Sequence, residues 1–498
     1  MTRLKNVMMV VCCALCLAGP AFSAPRNVVL IVADDQSQTL GCYGDPIAQT
    51  PNLDAIAADG TMFRHAFATT ASCSASRSVI LTGLHNHANG QYGHVHHFHK
   101  FQSYDNVLSL PRILSAAGYR TAQIGKYHVA PQEVYAFDEY LKGNARNVFA
   151  MAEASRSVIE SDSDKPFFLY MATSDPHRGG GWANELPNQP DRFGNPAPGR
   201  SFKGIKEVIY DPDEVPVPGF LPDTPECRSE LAQYYQSQSR IDQGIGKLVE
   251  ILKEAGRWDD TLVLYIADHG MAFAGAKTTV YDGGLRSPLL VRNPYNEKRG
   301  VKSDAMISWI DLTPTILDFA GALDADGKVK QDLLKKMEPI RLNNQNNRDL
   351  KPGVMHGRSF LGTLDQEMAE GWDEIGASHT FHEIQMYYPM RVVQNRDYKL
   401  IWNIAHQQDY PFASDLWASK TWQAQLAKGD DASYGAWTVG GYVNRPEFEL
   451  FDLNDDSNEG KNLAKSPFHL EELEEMKEKL KAMQKRTNDP WIMKWKYE

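Results

Sequence analysis

Short apolar runs, each followed at once by polar residues, set the pattern of this chain. The clearest are Asn27–Ala33 (NVVLIVA), residues 166–173 (PFFLYMAT) and Thr261–Ala267 (TLVLYIA), with a shorter run at residues 121–124 (TAQI). Continuous apolar, β-branched runs of this kind are typical of strands buried on both faces of a parallel sheet. We therefore predict four such strands in the first part of the chain.

Helical patterns lie between these runs. Residues 107–117 form one, closed by Gly118, and residues 231–255 form a long amphipathic one with apolar side chains every three or four positions. This alternation predicts an α/β fold in which a large mixed, mostly parallel sheet lies between helices. In such sheets, ligands bind beyond the carboxyl ends of the strands.

The pattern changes towards the C-terminus. Residues 324–372 are charged and rich in turn formers, as in a linker, whereas residues 389–402 and 448–453 alternate like strands of an antiparallel sheet. We therefore predict a catalytic domain at residues 24–372, followed at residues 373–498 by a small C-terminal α+β domain with an antiparallel sheet.

Residues 1–23 have the pattern of a secretory signal peptide. Arg3 and Lys5 precede an apolar stretch at residues 7–17, and Ala21-Phe22-Ser23 is a small-x-small cleavage site. No apolar run in the chain is long enough to span a bilayer. We expect an exported protein without a membrane span, either periplasmic or secreted.

Composition adds little to this picture, but the charge excludes some classes of protein. The chain is 42% hydrophobic and 23% charged, with a formal net charge of −11. A negative balance argues against a protein that binds nucleic acid and against a basic membrane-surface protein. It does not exclude an anionic substrate, because the field inside a pocket need not follow the total charge. The sequence leaves the oligomeric state open.

Three cysteines remain beyond the signal peptide, namely Cys42, Cys73 and Cys227. Three widely spaced cysteines do not make a disulfide framework. Cys73 lies in the segment SCSASR at residues 72–77, where the pattern predicts the start of a helix. Unpaired N–H groups at a helix start favour an anion. A buried thiol beside a helix cap is the alternative for this residue taken alone.

Polar residues suited to catalysis or metal binding follow all four predicted strands. In chain order they are Asp34 with Asp35, Lys126 with His128, His177, and Asp268 with His269. The carboxyl ends of parallel strands meet at one edge of a sheet, so we predict that these residues and Cys73 form a single site. The alternative for each pair is a polar turn after a strand.

The chemistry of this predicted site suits a metal ion and an oxyanion. Asp34, Asp35, Asp268 and His269 supply mostly hard oxygen ligands, which favour Ca²⁺ or Mg²⁺ over zinc. Fixed cations and histidines that transfer protons near neutral pH accompany them, namely Arg77, Lys126, Lys277, His128 and His177. Together these groups fit a tetrahedral oxyanion such as sulfate or phosphate.

The segment Cys73-Ser74-Ala75-Ser76-Arg77 resembles the C-x-P-x-R signature of the type I, formylglycine-dependent sulfatases, which have an alkaline-phosphatase-like fold. Within that family, several other segments are similar to the heparan N-sulfatase (sulfamidase) branch. They are Gly125-Lys126, His128-Val129, Asp175-Pro176-His177-Arg178, Asp211-Pro212 and Tyr388-Pro389-Met390-Arg391.

The resemblance implies how the nucleophile and the metal site are made. A formylglycine-generating enzyme or an anaerobic sulfatase-maturing enzyme would oxidise Cys73 to formylglycine (3-oxoalanine), and the hydrate of this aldehyde would be the nucleophile. The implied Ca²⁺ ligands are Asp34, Asp35, Asp268, His269 and the modified Cys73.

The resemblance also implies roles for the cations and the histidines. Arg77 and Lys126 would hold the hydrate. His128 would be the base that collapses a covalent sulfate intermediate. His177 would protonate the leaving group, and Lys277 would hold sulfate oxygens.

Three positions depart from the family pattern. Ala75 stands where the signature has proline, His269 stands where sulfamidase has asparagine, and Lys277 stands where sulfamidase has arginine. The first departure concerns the efficiency of cysteine maturation, and the other two loosen the match to sulfamidase itself.

We expect hydrolysis of a sulfate ester or a sulfamate on a sulfated polysaccharide or oligosaccharide, either a glycosaminoglycan or an algal glycan. The predicted sugar contacts are His97, Trp182, His382, Glu383 and Arg391. Two alternatives stay open. One is a formylglycine-dependent phosphonate monoester or phosphodiester hydrolase, and the other is a catalytically silent glycan-binding protein.

Overall fold

An eight-stranded sheet forms the centre of the protein in a computed structural model that describes residues 26–179, 192–340, 342 and 347–497. The strands are β1 (Asn27–Ala33), β2 (Thr61–Phe67), β3 (Arg120–Gly125), β4 (Glu139–Leu141), β5 (Phe167–Ala172), β6 (Thr261–Ala267), β7 (Leu289–Arg292) and β8 (Val301–Ser308). Their order is β4-β3-β5-β1-β6-β7-β2-β8. All neighbours are parallel except β7, which runs antiparallel to β6 and β2. The predicted mixed, mostly parallel sheet is confirmed.

Helices cover both faces of this sheet. They are α1 (Pro51–Ala58), α2 (Cys73–Ile80), α3 (Asn86–Asn89), α4 (Leu110–Ala116), α5 (Val148–Ala154), α6 (Arg156–Ile159), α7 (Pro225–Glu254), α8 (Asp282–Leu285), α9 (Leu312–Phe319) and α10 (Gln331–Lys336). Helix α7 begins at Pro225 rather than at the predicted Leu231. The hydroxyl of Thr224 accepts a hydrogen bond from the backbone N–H of Cys227, and proline suits the first helical position.

Strand β1 shows why an apolar run becomes a central strand. All seven of its residues are buried. Alternate residues point to opposite faces, so Val28 and Leu30 pack with Ile316 of α9, whereas Val29 packs with Ile245 of α7. A strand covered on both faces needs apolar side chains along its length, and residues 28–33 show this pattern.

A second, antiparallel sheet follows in the C-terminal part of the chain. Its strands, in the order β14-β11-β10-β9, are β9 (Glu374–His379), β10 (Met390–Asn395), β11 (Tyr398–Asn403) and β14 (Phe448–Asp452). A short ribbon pairs β12 (Ser433–Tyr434) with β13 (Trp437–Thr438). The helices here are α11 (Ser414–Trp417), α12 (Lys420–Leu426), α13 (Val439–Val443), α14 (Leu470–Arg486) and α15 (Lys494–Tyr497). The predicted α+β character of this region is confirmed.

The two sheets share a hydrophobic core. Val392 and Ile401 of the antiparallel sheet lie in the same buried cluster as Phe67 of β2 and Met306 of β8. Residues 324–372, which have the composition of a linker, also pack on the large sheet, because Phe360, Leu364 and Trp372 are buried in its core. The domain boundary at residue 372 stays a prediction.

Two predicted features lie outside the described residues, namely the signal peptide at residues 1–23 and Trp182. Among the helices that the structure describes, none combines the length and the apolar character needed to cross a membrane.

Candidate active site

The site lies where β3, β5, β1 and β6, adjacent strands of the large sheet, end. Backbone hydrogen bonds join the residues that follow the strands. The N–H of Asp34 donates to the carbonyl oxygen of Asp175 at 3.0 Å, and the N–H of Asp268 donates to that of Ala33 at 2.9 Å. The first residue of α2, Cys73, contacts the same residues. The structure thus brings all four predicted strand ends and the predicted helix start together.

Cys73 lies at the centre of a possible metal-binding cluster. Its Sγ is 3.6 Å from Oδ1 of Asp35 and 3.4 Å from Nε2 of His269. One ligand atom from each of Asp35, Cys73, Asp268 and His269 lies within 4.8 Å of the others. All four residues are buried, and buried charges of this kind are normally paired or bound to metal.

The orientation of His269 supports a cation in this cluster. Its Nδ1 lies 3.0 Å from the carbonyl oxygen of Gly270, so Nδ1 carries a proton that it donates to that oxygen. The other ring nitrogen, Nε2, faces the cluster and lies 3.2 Å from Oδ1 of Asp35. A ring nitrogen and carboxylate oxygens that converge in this way fit a bound cation, and the carboxylate oxygens suit a divalent one. The donor set therefore fits the implied metal.

Asp34, by contrast, is held by two cations. Nη2 of Arg77 lies 2.9 Å from both Oδ1 of Asp34 and Oδ2 of Asp268, and Nζ of Lys126 lies 2.6 Å from Oδ2 of Asp34. Burial opposes ionisation of Asp34, but the charge of Lys126, together with that of Arg77, holds its pKa well below the ordinary value. At Asp268, burial outweighs Arg77 and raises the pKa.

Lys277 joins the two domains at the site. Its Nζ lies 2.9 Å from Oδ2 of Asp35 and 3.0 Å from Oδ2 of Asp415, a residue of α11 in the C-terminal part of the chain. Burial opposes ionisation of Asp415, yet Lys277 and then His177 hold its pKa below the ordinary value. Asp415 was not predicted from the sequence, because no motif surrounds it and it lies far along the chain from every other site residue.

His177 is a neutral imidazole with a fixed orientation. Its Nδ1 lies 2.6 Å from the carbonyl oxygen of Arg178, and its Nε2 lies 3.0 Å from Nζ of Lys277. Nδ1 therefore donates to the carbonyl oxygen, and Nε2 accepts from the ammonium group. Burial, followed by the charge of Lys277, lowers the pKa of His177 to about 4.

The thiol of Cys73 is a poor nucleophile as it stands. The residue is fully buried at the start of α2. Burial raises the pKa of the thiol well above its ordinary value; Lys126 opposes this shift, and Asp35 and Asp34 add to it. A thiol reacts as its thiolate, so Cys73 with a proton on sulfur has little reactivity at neutral pH.

Four histidines form a second cluster, the histidine cluster, defined by His94, His96, His128 and His382. Nε2 of His94 lies 2.8 Å from Nε2 of His382, whose Nδ1 lies 3.0 Å from Oγ of Ser72, the residue before Cys73. Nε2 of His128 lies 2.7 Å from Nδ1 of His96. The sequence predicted His382 only as a sugar contact and His128 only as a base, since spacing along the chain does not show which rings pair.

The predicted sugar contacts differ in burial and in their hydrogen-bond partners. His97 is exposed, His382 lies in the histidine cluster, and Glu383 is nearly buried and accepts a hydrogen bond from Oγ of Ser414 at 3.0 Å. Arg391 is fully buried, and its guanidinium pairs with both carboxylate oxygens of Asp489. Because no part of it reaches solvent, we interpret Arg391 as a structural residue rather than a sugar contact.

Comparisons with known proteins agree with this geometry. The Sulfatase family model matches residues 26–322. Human N-sulphoglucosamine sulphohydrolase is 37% identical over 97% of this chain and 94% of its own length, and an ulvan-active sulfatase of Formosa agariphila is 27% identical over 92% and 79%.

Solved structures show the same fold. A protein in complex with its substrate D-glucosamine-2-N,6-O-disulfate has a TM-score of 0.63 and 20% identity, over 94% of this chain and 99% of that one. A phosphonate monoester hydrolase of Agrobacterium radiobacter has a TM-score of 0.62 and 17% identity, over 93% and 96%. With a family model over more than half of the chain and a relative that matches nearly all of it, the chain belongs to the sulfatase family.

Proposed function

We propose that this sulfatase acts on a sulfated saccharide and that its nucleophile is a formylglycine made from Cys73. The observation that carries the proposal is the position of Cys73. It is the buried first residue of α2, and its Sγ contacts Asp35 and His269. The neighbouring carboxylate of Asp34 forms an ion pair with Arg77. A protonated thiol is a weak nucleophile at this position. An aldehyde hydrate instead offers one hydroxyl group to attack sulfur and a second that can be deprotonated to release sulfate.

Maturation would be the work of a separate enzyme, either formylglycine-generating or anaerobic sulfatase-maturing. That enzyme supplies the oxidant, the bond between Cβ and sulfur breaks, and the aldehyde forms. Ala75 replaces the proline of the signature but lies inside the regular helix α2. The helix that begins at Cys73 therefore forms without the proline of the signature.

Asp34, Asp35, Asp268, His269 and the modified residue 73 would hold Ca²⁺, with Mg²⁺ as the alternative. When bound, the cation would offset negative charge on the sulfate and on the nucleophile. The convergence of Nε2 of His269 and Oδ1 of Asp35, 3.2 Å apart, supports this assignment. Asp34 would share its carboxylate between the metal and the two cations that already contact it.

The reaction would proceed in two steps. Arg77 and Lys126 orient the hydrate, and one hydroxyl attacks sulfur while its proton passes to the neighbouring carboxylate of Asp35. The bond from sulfur to the leaving oxygen or nitrogen breaks, and this atom takes a proton from the protonated His177. Lys277 holds the sulfate oxygens and contacts His177. A bound sulfate anion would raise the pKa of the neutral His177, as a proton donor requires.

In the second step, His128 would remove the proton from the remaining hydroxyl. The carbonyl group re-forms, the bond between carbon and the sulfate oxygen breaks, and sulfate leaves with the electron pair. Water therefore does not have to attack the hindered sulfur.

A sulfated saccharide is the substrate class that we propose. Support comes from the relative that is named an N-sulphoglucosamine sulphohydrolase and from the ulvan-active sulfatase. Both a sulfamate and a sulfate ester fit the site, because His177 can protonate nitrogen or oxygen. We also propose export to the periplasm or the medium, on the basis of residues 1–23.

A substrate panel tests this proposal. Protein that is co-expressed with a maturing enzyme should release sulfate from heparin-derived, chondroitin-derived or algal oligosaccharides, and Cys73→Ala should abolish release while sugar binding remains measurable. Sulfate release by the alanine variant at the wild-type rate would contradict the role of residue 73. Faster turnover of aryl phosphonates or phosphodiesters than of all sulfated compounds would favour the phosphonate hydrolase, and saccharide binding without turnover would favour the glycan-binding protein.

A further inference from the structure

His96 and His128 form a pair of imidazoles within the histidine cluster. Nδ1 of His96 lies 2.7 Å from Nε2 of His128, and the rings stack with their centroids 5.0 Å apart. His94 stacks on His128 and lies 3.4 Å, through its Nδ1, from Oγ of Ser74, the residue after Cys73. The pair is thus connected to the start of α2.

Only one proton can lie between the two facing nitrogens. Burial lowers the pKa of both imidazoles, with further lowering by Lys126 at His128 and by His99 at His96. Both rings are therefore neutral near pH 7, and each carries one N–H. Either His128 donates from Nε2, which leaves its Nδ1 bare, or His96 donates from Nδ1, which places the N–H of His128 on Nδ1.

The surroundings of Nδ1 of His128 decide between these two arrangements. This atom is buried and has no hydrogen-bond partner among the residues that the structure describes. A buried N–H without an acceptor is rarer and less well tolerated than a bare acceptor. The pair therefore favours a proton on Nε2 of His128, donated to Nδ1 of His96, with Nδ1 of His128 free to accept.

We propose that His96 is a positioning residue that keeps Nδ1 of His128 free to act as the base and then carries the abstracted proton away. The inference rests on the proposed function. When Nδ1 of His128 takes the hydroxyl proton of the sulfated hydrate, the Nε2 proton passes to Nδ1 of His96. His96, which is partly exposed, releases its own Nε2 proton to solvent. Both rings stay neutral, and the hydroxyl electrons re-form the carbonyl group as sulfate leaves.

Rapid-mixing kinetics with 4-nitrophenyl sulfate and a heparin-derived disaccharide test this proposal. His96→Phe keeps a flat ring against His94 and His128 but removes the acceptor. Its kcat should fall about 10- to 100-fold, with KM changed less than about twofold, as expected for weakened base catalysis. Because only the second step slows, the variant should release about one leaving group per active site in a burst before slow turnover.

A second variant separates the two parts of the role. In His96→Asn, Oδ1 can replace Nδ1 as the acceptor, but the residue cannot pass a proton on. This variant should recover part of kcat and still show the burst, and the distant, half-buried His469→Phe should behave as the wild type.

The outcomes distinguish this inference from the proposed function. A wild type that is inactive on 4-nitrophenyl sulfate and on every oligosaccharide of the substrate panel contradicts the proposed function and the inference with it. An active wild type together with a His96→Asn or His96→Phe variant that folds and lacks both the burst and the fall in kcat contradicts the inference alone.

Discussion

At the residue scale, Lys277 is a buried cation at the site that we propose to bind sulfate. It lies between Asp35 and Asp415, and its Nζ also contacts Nε2 of His177. Its positive charge is therefore largely offset before any sulfate binds. If Lys277 holds sulfate oxygens as proposed, sulfate would compete with these carboxylates for the ammonium group, and the negative charge of Asp415 would weaken anion binding.

We expect Asp415→Asn to strengthen inhibition by the product, inorganic sulfate. The variant removes one negative charge beside Lys277, so the inhibition constant for sulfate should fall about three- to tenfold. Steady-state inhibition assays measure this directly. The exposed Asp409→Asn, in the same region of the chain, is the matched control and should leave the constant unchanged. A constant that stays the same or rises in Asp415→Asn would show that Lys277 is not available to sulfate.

The sequence predicted the site residues that directly follow a strand. It did not predict contacts that distant segments of the chain bring to the site. Asp34, Asp268 and His177 were predicted because a buried strand must end in a turn and ligands collect at that edge. Asp415 and the pairing of His96 with His128 had no such signal. Their positions depend on how distant segments pack, which spacing along the chain does not encode.

At the scale of elements, helix α7 packs on one face of the large sheet and caps a second helix. Oδ1 of Asp242, on α7, accepts hydrogen bonds from the backbone N–H groups of Asn52 at 3.0 Å and Leu53 at 2.8 Å, at the start of α1. The side-chain amide of Asn52 donates to Oδ2 at 2.7 Å. Burial nevertheless raises the pKa of Asp242 to about 6 from its ordinary value of 3.8.

Asp242 should make stability depend on pH. The folded protein binds the proton more tightly than the unfolded chain, so this stabilisation is complete below about pH 4 and is lost as the pH rises through about 6. We expect the unfolding free energy of the wild type, relative to Asp242→Asn, to fall by about 2 to 3 kcal/mol between pH 4 and pH 7. Denaturant unfolding at a series of pH values measures this, and the exposed Asp162→Asn is the control. A difference between wild type and Asp242→Asn that is independent of pH would contradict the burial of a protonated carboxyl group.

The four strands that the sequence predicted in the large sheet all have a buried interior. β1, β5 and β6 match their predicted positions within one residue at each end. β2 and β8 were not predicted, because Arg64 and His65 interrupt one (TMFRHAF) and Lys302 and Asp304 interrupt the other (VKSDAMIS). Both strands lie at one side of the sheet, where half-exposed positions admit polar side chains and the apolar run breaks down.

At the scale of the whole molecule, the C-terminal region completes the site. His382, between β9 and β10, reaches Ser72, and Asp415 of α11 reaches Lys277. The buried pair of Arg391 and Asp489 ties β10 to the segment after α14. The alternating pattern predicted an antiparallel sheet here. The position of this sheet against the large sheet depends on a hydrophobic core that both share, and no local sequence pattern predicts that packing.

The central claim is that Cys73 becomes an aldehyde, and the mass of one peptide tests it most directly. Trypsin should release residues 65–77, which contain Cys73 and end at Arg77. After co-expression with a formylglycine-generating or an anaerobic maturing enzyme, we expect the mass of the peptide in which the thiol-bearing carbon has become an aldehyde, and this peptide should react with a hydrazide. Peptide that keeps an unmodified thiol after co-expression with each kind of enzyme would contradict the proposed nucleophile.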